Sequence, residues 1–287
     1  MIKNKIVDNK ELTARQIMWL SKKANWVRNK ALEMAVKAGA GHIAPSFSCV
    51  DILVALYYAN ILRVNPKNPK WVNRDRFILS KGQGALALYP ILADLGFFSL
   101  SELMTFTQGG SRLGGLAETD VPGVEALTGS LGHGLSIAAG IALSAKIDNK
   151  KYLSFALLGD GECHEGSVWE AAMFAGHRHL NKLIAIVDNN RLSAIDFLKN
   201  YLDLAPLKEK WESFGWETKA VNGHSFEELL EVFNNIHSRQ SVKPLVIIAL
   251  TTKGKGVSFM ENRPIWHYRI PVGKELKIAK KELRFYK

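Results

Sequence analysis

The sequence has little cysteine and no long apolar run. Its 287 residues contain two cysteines, Cys49 and Cys163, which lie far apart in the chain. So few thiols argue against a disulfide framework and fit a reducing compartment. No segment approaches the roughly 18 consecutive apolar residues of a membrane span, and the first residues lack the apolar stretch of a secretory signal peptide. We therefore expect a cytoplasmic protein with no membrane partner.

Acidic residues are the minority among the charged ones. The chain has 38 Lys and Arg against 27 Asp and Glu, a net charge of +11. The excess is spread along the chain, with some concentration in residues 274–287, and it forms no basic stripe interleaved with aromatic residues. This distribution argues against a nucleic-acid partner. Two interpretations stay open: a solvated surface without a role, and a field that favours phosphorylated small ligands.

Apolar segments of strand length alternate with segments of helical periodicity. This alternation predicts an α/β fold, a parallel sheet with helices on both faces. Predicted strands cover 76–79, 152–158, 183–187, 217–221 and 244–250. Predicted helices cover 13–38, 51–62, 85–95, 100–106, 133–146, 206–214 and 226–236, with a further helix that begins near Glu165.

The chain divides into one large domain and a short tail. We assign residues 1–270 to a single cofactor-binding domain and residues 271–287 to a basic carboxyl-terminal tail. Within the domain, residues 108–129 are rich in glycine and lack periodicity, which is typical of a functional or mobile loop. Within the tail, residues 275–285 predict either a short amphipathic helix that packs on a partner or a frayed end.

Two predicted strands end in residues that can bind a metal ion. The first is followed by Gly159-Asp160-Gly161, and the second leads to Asn190 about thirty residues later. Parallel strands bring their carboxyl ends to one edge of the sheet, where ligands bind. Carboxylate and amide oxygens suit Mg²⁺ on a diphosphate, and the Leu192 carbonyl could add a third ligand. A lone Gly-Asp-Gly is also an ordinary turn, so the second strand carries the weight of this interpretation.

Gly-Asp-Gly followed by Asn-Asn resembles the thiamine diphosphate motif. The wider sequence, residues 11–267, resembles the amino-terminal half of transketolase in the form in which two chains make one enzyme. The other matching segments are Gly41-His42, Asp75-Arg76-Phe77-Ile78-Leu79-Ser80-Lys81-Gly82, Pro122-Gly123-Val124-Glu125, Thr128-Gly129-Ser130-Leu131-Gly132, 159–175 and 252–260. Several motifs in the family's order are far more specific than any one of them.

The resemblance implies a thiamine diphosphate-binding fold of the diphosphate-binding domain type, with Mg²⁺ or Ca²⁺ as the metal. It implies that Asp160, Asn190 and the Leu192 carbonyl bind the metal. It also implies a set of cofactor-binding residues, which are Gly129, Leu131, Gly159, Asp160, Gly161, Asn190 and His267.

The same resemblance implies four catalytic residues. His42 and His267 match histidines around the reacting carbon, where proton transfer near neutral pH suits imidazole. Glu165 and Glu170 match acidic residues that link active sites across a subunit interface. From the residues alone, a plain helix surface or stabilisation of the helix dipole at its amino terminus is the favoured interpretation of both glutamates.

The chain is too short to hold the second domain type of the family, which binds the aminopyrimidine ring. The resemblance therefore implies a carboxyl-terminal partner subunit, an α2β2 assembly, and a chain that is inactive alone.

The departures from the family pattern lie around the expected substrate pocket. Gln83 and Leu116 stand where the family usually has histidines, Tyr268 stands where it has glycine, and His133 stands where it has glutamine. Glutamine cannot shuttle a proton at neutral pH, and leucine cannot pair with a sugar hydroxyl. His133 could compensate if its ring pointed inward.

We therefore expect transfer of a two-carbon ketol unit between sugar-type substrates by a specialised enzyme. The substrate would be a modified, deoxy or nucleotide-linked sugar. Two alternatives remain at this point: acyl or acyloin transfer from a 2-oxo acid with the same cofactor, and a catalytically silent cofactor-binding subunit.

Overall fold

A single parallel sheet organises the chain. The computed structural model describes residues 14–285; the first residue of the predicted helix 13–38 and the start of the segment 11–267 lie outside this range. The strands are β1 (Arg76–Ile78), β2 (Ser154–Gly159), β3 (Leu183–Asn189), β4 (Glu217–Asn222) and β5 (Leu245–Leu250). Their order is β1-β2-β3-β5-β4, and every neighbouring pair is parallel. All five carboxyl ends therefore meet at one edge of the sheet.

Helices cover both faces of this sheet. They are α1 (Ala14–Ala38), α2 (Ile43–Tyr58), α3 (Ala85–Asp94), α4 (Gly134–Ile147), α5 (Gly166–His177), α6 (Leu207–Ser213), α7 (Phe226–Phe233) and α8 (Gly273–Phe285). None of these helices combines the length and the hydropathy that a membrane span needs.

Alternate side chains along each strand enter two separate apolar cores. On β2, Phe155 and Leu157 join the core that contains the buried sides of α1, α2, α3, α7 and α8. Ala156 and Leu158 join the other core, with the buried residues of α4, α5 and α6. The predicted α/β class with helices on both faces is confirmed.

Helix α2 shows where the sequence misled us. The prediction placed a helix over 51–62, but the helix spans Ile43–Tyr58 and is buried along its whole length. Proline in the first turn of a helix is tolerated because its missing N–H would be unsatisfied there anyway, so Pro45 does not block the start. The helix ends because Asn60 adopts a positive φ of 58°, a left-handed conformation that stops an α-helix. The predicted helix 100–106 is a 3₁₀ helix, Leu100–Thr105.

The segment 108–129 has no helix or strand, as predicted, yet it is packed rather than loose. Leu113, Ala117 and Val121 are buried in the larger core. Arg74 binds Glu125 through two hydrogen bonds, of 2.8 Å from Nε and 2.6 Å from Nη2. The segment is therefore a fixed wall beside the sheet edge.

The tail is helical. Helix α8 buries Ala279 and Leu283 in the larger core and contacts α1 of the same chain. The partner that covers its apolar side in the described structure is thus this chain itself. The Asn29 side-chain amide donates to the Leu283 carbonyl at 3.3 Å, which fixes the helix on α1.

Candidate cofactor-binding and active site

The carboxyl edge of the sheet forms a cavity of about 760 Å³, a size typical of small-ligand sites. Asp160 and Asn190 both line it. The register pairs Gly159 of β2 with Asp188 of β3, so the residues that follow these strands are direct neighbours. The backbone N–H of Arg191 donates to Asp160 Oδ2, which ties the two loops together. The structure thus brings together the side chains that the sequence predicted as metal ligands.

Asp160 is a buried carboxylate that has no ion-pair partner among residues 14–285. Burial, followed by the nearby Asp188 carboxylate, raises its pKa to about 7. The Gly161 N–H donates to Oδ1 at 2.8 Å and partly offsets this effect. Because a buried carboxylate is costly without a compensating charge, this position suits a cation.

The other two predicted ligands lie on the adjoining loop. Asn190 Oδ1 accepts a hydrogen bond from the Leu192 N–H at 3.1 Å, and the Leu192 carbonyl lies one peptide further on. The described residues contain no cluster of three or more His, Cys, Asp or Glu that could bind a metal. One carboxylate, one amide and one carbonyl make an incomplete shell, of the kind that Mg²⁺ completes with water and phosphate oxygens.

Lys253 is a site residue that the sequence did not reveal. Its ammonium group is buried, and it donates to the carbonyls of Leu192 at 3.1 Å and Ser193 at 2.5 Å. It also donates to His267 Nδ1 at 2.9 Å. Burial, and then the charge of Lys81, lower the pKa of Lys253 to about 7. The ammonium thus occupies the carbonyl that the sequence assigned to a metal ion.

Lys81 supplies a second buried cation, and this one is paired. It forms an ion pair with Asp188, which also accepts hydrogen bonds from Ser48 Oγ at 2.6 Å and from Thr251 Oγ1. Burial lowers the pKa of Lys81, but the attraction of Asp188 outweighs it and the pKa is raised. Lys81 is therefore charged at neutral pH, and its ion pair fastens the loop after β1 to the end of β3.

Glu162 is another buried residue that the sequence left without a role. Its carboxylate accepts from the N–H groups of Gly132 at 2.9 Å and Gly159 at 3.0 Å, and from Ser80 Oγ. These bonds place the segment with Gly129 and Leu131 beside the end of β2. The Gly-Asp-Gly motif could have drawn attention to Glu162, since it follows directly, but its partners are remote in sequence.

Gly159 and Gly161 fit a ligand that approaches the backbone closely. Neither has a positive φ. A Cβ atom would lie 3.8 Å from Lys81 Cβ at the first position and 3.7 Å from Ser193 Cβ at the second, which are ordinary contacts. The chain's own packing therefore does not require glycine here, and the room that the missing side chains leave suits a phosphate group.

His42 and His267 lie together beside Lys253. Their ring centroids are 5.3 Å apart and their planes nearly perpendicular. Burial, followed by the charge of Lys253, lowers the pKa of His42 to about 4 and that of His267 to about 3. Both rings are neutral at pH 7. His42 Nδ1 is buried and has no hydrogen-bond partner among the described residues.

The predicted domain type agrees with the family to which the chain is similar. Residues 20–285 match the family model described as transketolase, thiamine diphosphate binding domain. The chain belongs to the transketolase family. It is 41% identical over 256 residues to an apulose-4-phosphate transketolase subunit of Phocaeicola vulgatus, a match that covers 89% of this chain and 90% of the relative. It is 39% identical over 249 residues to the 6-deoxy-6-sulfo-D-fructose transketolase subunit SqwG of Clostridium sp., covering 86% and 90%.

One-chain transketolases share the fold. The transketolase of Campylobacter jejuni superposes with a TM-score of 0.86 at 35% identity, over 94% of this chain and 43% of that one. The human transketolase is 36% identical over 256 residues, 88% of this chain and 40% of its own length. This transketolase-family chain thus spans about two fifths of the one-chain proteins. The predicted family, the split amino-terminal type and the thiamine diphosphate-binding fold are confirmed.

The pocket of this transketolase-family chain carries apolar and aromatic groups at the departures. Leu116 lies over two glycines, because a Cβ at Gly129 would meet its Cδ1 at 2.7 Å and one at Gly82 its Cδ2 at 3.1 Å. Tyr268 is half-exposed and meets the His42 ring edge to face, with centroids 4.6 Å apart. Gln83 is half-buried. Leucine thus stands over both glycines, at a position where the sequence comparison predicted a histidine.

Three predicted polar residues lie away from this cluster in the isolated chain. Glu165 and Glu170, at and after the start of α5, are exposed. His133, just before α4, is also exposed, so its ring does not point into the interior of this chain.

Proposed function

We propose that this chain is the diphosphate-binding subunit of a two-chain transketolase that transfers a two-carbon ketol unit between sugar-type substrates. It would use thiamine diphosphate with Mg²⁺ or Ca²⁺. One observation carries the proposal: the sheet edge gathers the Asp160 carboxylate, the Asn190 amide and the Leu192 carbonyl, next to the buried ammonium of Lys253. Oxygen donors beside a buried cation match a metal diphosphate.

Different residues would bind different parts of the cofactor complex. Asp160, Asn190 and the Leu192 carbonyl would bind the metal, and Lys253 would turn to the diphosphate, whose negative charge compensates its burial. Gly159 and Gly161 let the phosphates approach the backbone. When bound, thiamine diphosphate supplies the acyl-anion equivalent on which ketol transfer depends.

His42 and His267 would contact the substrate and move protons. Both are neutral at pH 7 because burial and Lys253 lower their pKa values. A neutral imidazole can accept a proton from a hydroxyl group or donate a hydrogen bond to a carbonyl.

A carboxyl-terminal, pyrimidine-binding subunit would complete the site, in an α2β2 assembly. Relatives that match this chain over 90% of their length are named as subunits, and Glu165 and Glu170 are exposed where a neighbour could bind them. Both cysteines are free and buried, which suits the reducing cytoplasm.

The substrate would be a modified sugar. Leu116 cannot pair with a hydroxyl group, and a site that lacks such a partner loses its preference for standard sugars. The relatives named for apulose-4-phosphate and 6-deoxy-6-sulfo-D-fructose point the same way.

The test is a reconstitution with the partner subunit. Calorimetry should detect thiamine diphosphate binding that needs Mg²⁺ and that Asp160→Asn abolishes, whereas Asp196→Asn, on an exposed turn outside the ligand set, should keep it. Ketol transfer should then occur with branched or deoxy sugar phosphates and only weakly with pentose phosphates. Products formed from a 2-oxo acid donor would instead support acyl or acyloin transfer. Cofactor binding without any covalent donor adduct would support a catalytically silent subunit.

A further inference from the structure

The turn after β4 places a histidine directly against the Lys253 segment. Gly223 donates its N–H to the Leu250 carbonyl at 2.8 Å, and a Cβ there would meet Thr251 Cγ2 at 2.5 Å. Only glycine lets this turn lie so close to the end of β5. The next residue, His224, lines the cofactor cavity.

His224 is bound on both sides of its ring. The Thr252 N–H donates to Nε2 at 2.8 Å, and Nδ1 lies 2.7 Å from Asp51 Oδ2. Because a backbone N–H can only donate, Nε2 carries the lone pair and Nδ1 carries the hydrogen. The Asp51 carboxylate therefore selects the one neutral tautomer that can accept from Thr252.

Asp51 is itself held firmly. Arg28 binds it with two hydrogen bonds, of 3.0 and 2.6 Å, and also donates to the Phe47 carbonyl at 3.1 Å. Both side chains are almost fully buried. A bidentate guanidinium–carboxylate pair fixes direction as well as distance. The chain of contacts from Arg28 to Thr252 thus joins α1, α2, the β4 turn and the β5 loop.

We propose that His224 is a positioning residue for the cofactor diphosphate, acting through the Thr252 N–H on the adjacent Lys253. Asp188 binds the Thr251 side chain and His224 binds the Thr252 N–H, so the two residues before Lys253 are both anchored to the rest of the fold. This inference rests on the proposed function, because it assumes that Lys253 meets a diphosphate.

Two isosteric variants separate the halves of the His224 contact. His224→Gln keeps an acceptor near the Nε2 position and loses the Asp51 contact, whereas His224→Asn keeps a donor near the Nδ1 position and loses Thr252. We expect His224→Asn and His224→Ala to raise the Kd for thiamine diphosphate about tenfold, and His224→Gln to stay within about threefold, since only the first two leave the Thr252 N–H unsatisfied. His237→Ala, which removes a ring bound to the Ile61 carbonyl instead, is the matched control.

Hydrogen exchange gives a readout that needs no cofactor. The Thr252 amide should exchange slowly in the wild type and in His224→Gln, and faster in His224→Asn and His224→Ala. A histidine that merely filled space would not separate Gln from Asn in this way.

A double-mutant cycle in the reconstituted complex tests whether His224 acts through Lys253. If His224 acts through Lys253, His224→Ala should have almost no further effect on the Kd once Lys253→Met is present. Additive effects, or equal effects of Gln and Asn, would overturn the inference while leaving the proposed function intact. Absence of metal-dependent thiamine diphosphate binding in the wild type would overturn both.

Discussion

Replacing Lys253 with methionine should change the affinities for metal and for cofactor in opposite directions. The reason is that the Lys253 ammonium donates a hydrogen bond to the Leu192 carbonyl at 3.1 Å. This carbonyl is a proposed metal ligand, and it can bind the metal only when the ammonium has left it. Methionine keeps the length and apolar volume of the side-chain stem. The substitution therefore removes the charge and its hydrogen bonds with little loss of packing.

The expected changes in affinity follow from two contacts of Lys253, one with the Leu192 carbonyl and one with the diphosphate. Removing one partner of a buried ion pair costs about 3–5 kcal/mol, and because the metal would still compensate part of the diphosphate charge we expect the lower limit. That corresponds to about a hundredfold weaker binding of thiamine diphosphate. A hydrogen bond to a charged group contributes about 1.5–3 kcal/mol. Freeing the Leu192 carbonyl from it should strengthen metal binding without cofactor by at least about tenfold.

The assay measures each affinity alone and both together. Mn²⁺ binding followed by electron paramagnetic resonance reports the metal without cofactor, and calorimetry of the reconstituted complex reports thiamine diphosphate at saturating Mg²⁺. Lys255→Met is the matched control, since Lys255 lies two residues further on and pairs with Glu261 at 3.9 Å. If Lys253→Met weakened metal binding, or left the cofactor Kd unchanged, Lys253 would not move from the Leu192 carbonyl to the diphosphate when the ligands bind.

Two further predictions follow from buried contacts. Leu116→His should raise kcat/KM for pentose phosphates about tenfold or more, because a paired sugar hydroxyl is gained; unchanged kinetics would show that Leu116 does not face the substrate. Burial opposes ionisation of Asp51, but Arg28 and the hydrogen bond from His224 outweigh it and lower its pKa to about 2. Asp51 therefore stabilises the fold fully above pH ~4, and this contribution is lost as the pH falls towards ~2. The difference in unfolding free energy between the wild type and Asp51→Asn, roughly 2 kcal/mol from this titration, should therefore become smaller over that pH range. A difference that stayed constant would contradict this prediction.

Strand ends were predictable because their signal is local. The apolar runs of β2 and β3 lead directly into Gly159-Asp160 and Asn190, and the rule that parallel strands share a carboxyl edge puts those groups together. The family resemblance then added the roles of His42 and His267. These predictions do not depend on contacts between side chains that are distant in the sequence.

The buried charges were not predictable in the same way. Lys81 and Asp188 are 107 positions apart, and Lys253 reaches the Leu192 carbonyl across 61 positions. Composition shows only a surplus of positive charge, with no sign of which lysines are inside. The prediction also missed the start of α2, whose first turn contains Pro45, a position at which proline is tolerated.

The two buried lysines differ in a way that bears on ligand binding. Lys81 has its counter-charge within the chain, because Asp188 forms an ion pair with it. Lys253 has carbonyl oxygens and an imidazole instead, and no ion pair among the described residues. A buried cation without a counter-ion costs stability, and the Asp160 carboxylate, which has backbone N–H donors but no ion-pair partner among the described residues, adds to that cost. An anionic ligand and a metal ion would relieve both together, so this chain should gain more stability from the metal–diphosphate pair than from the sum of the two bound separately.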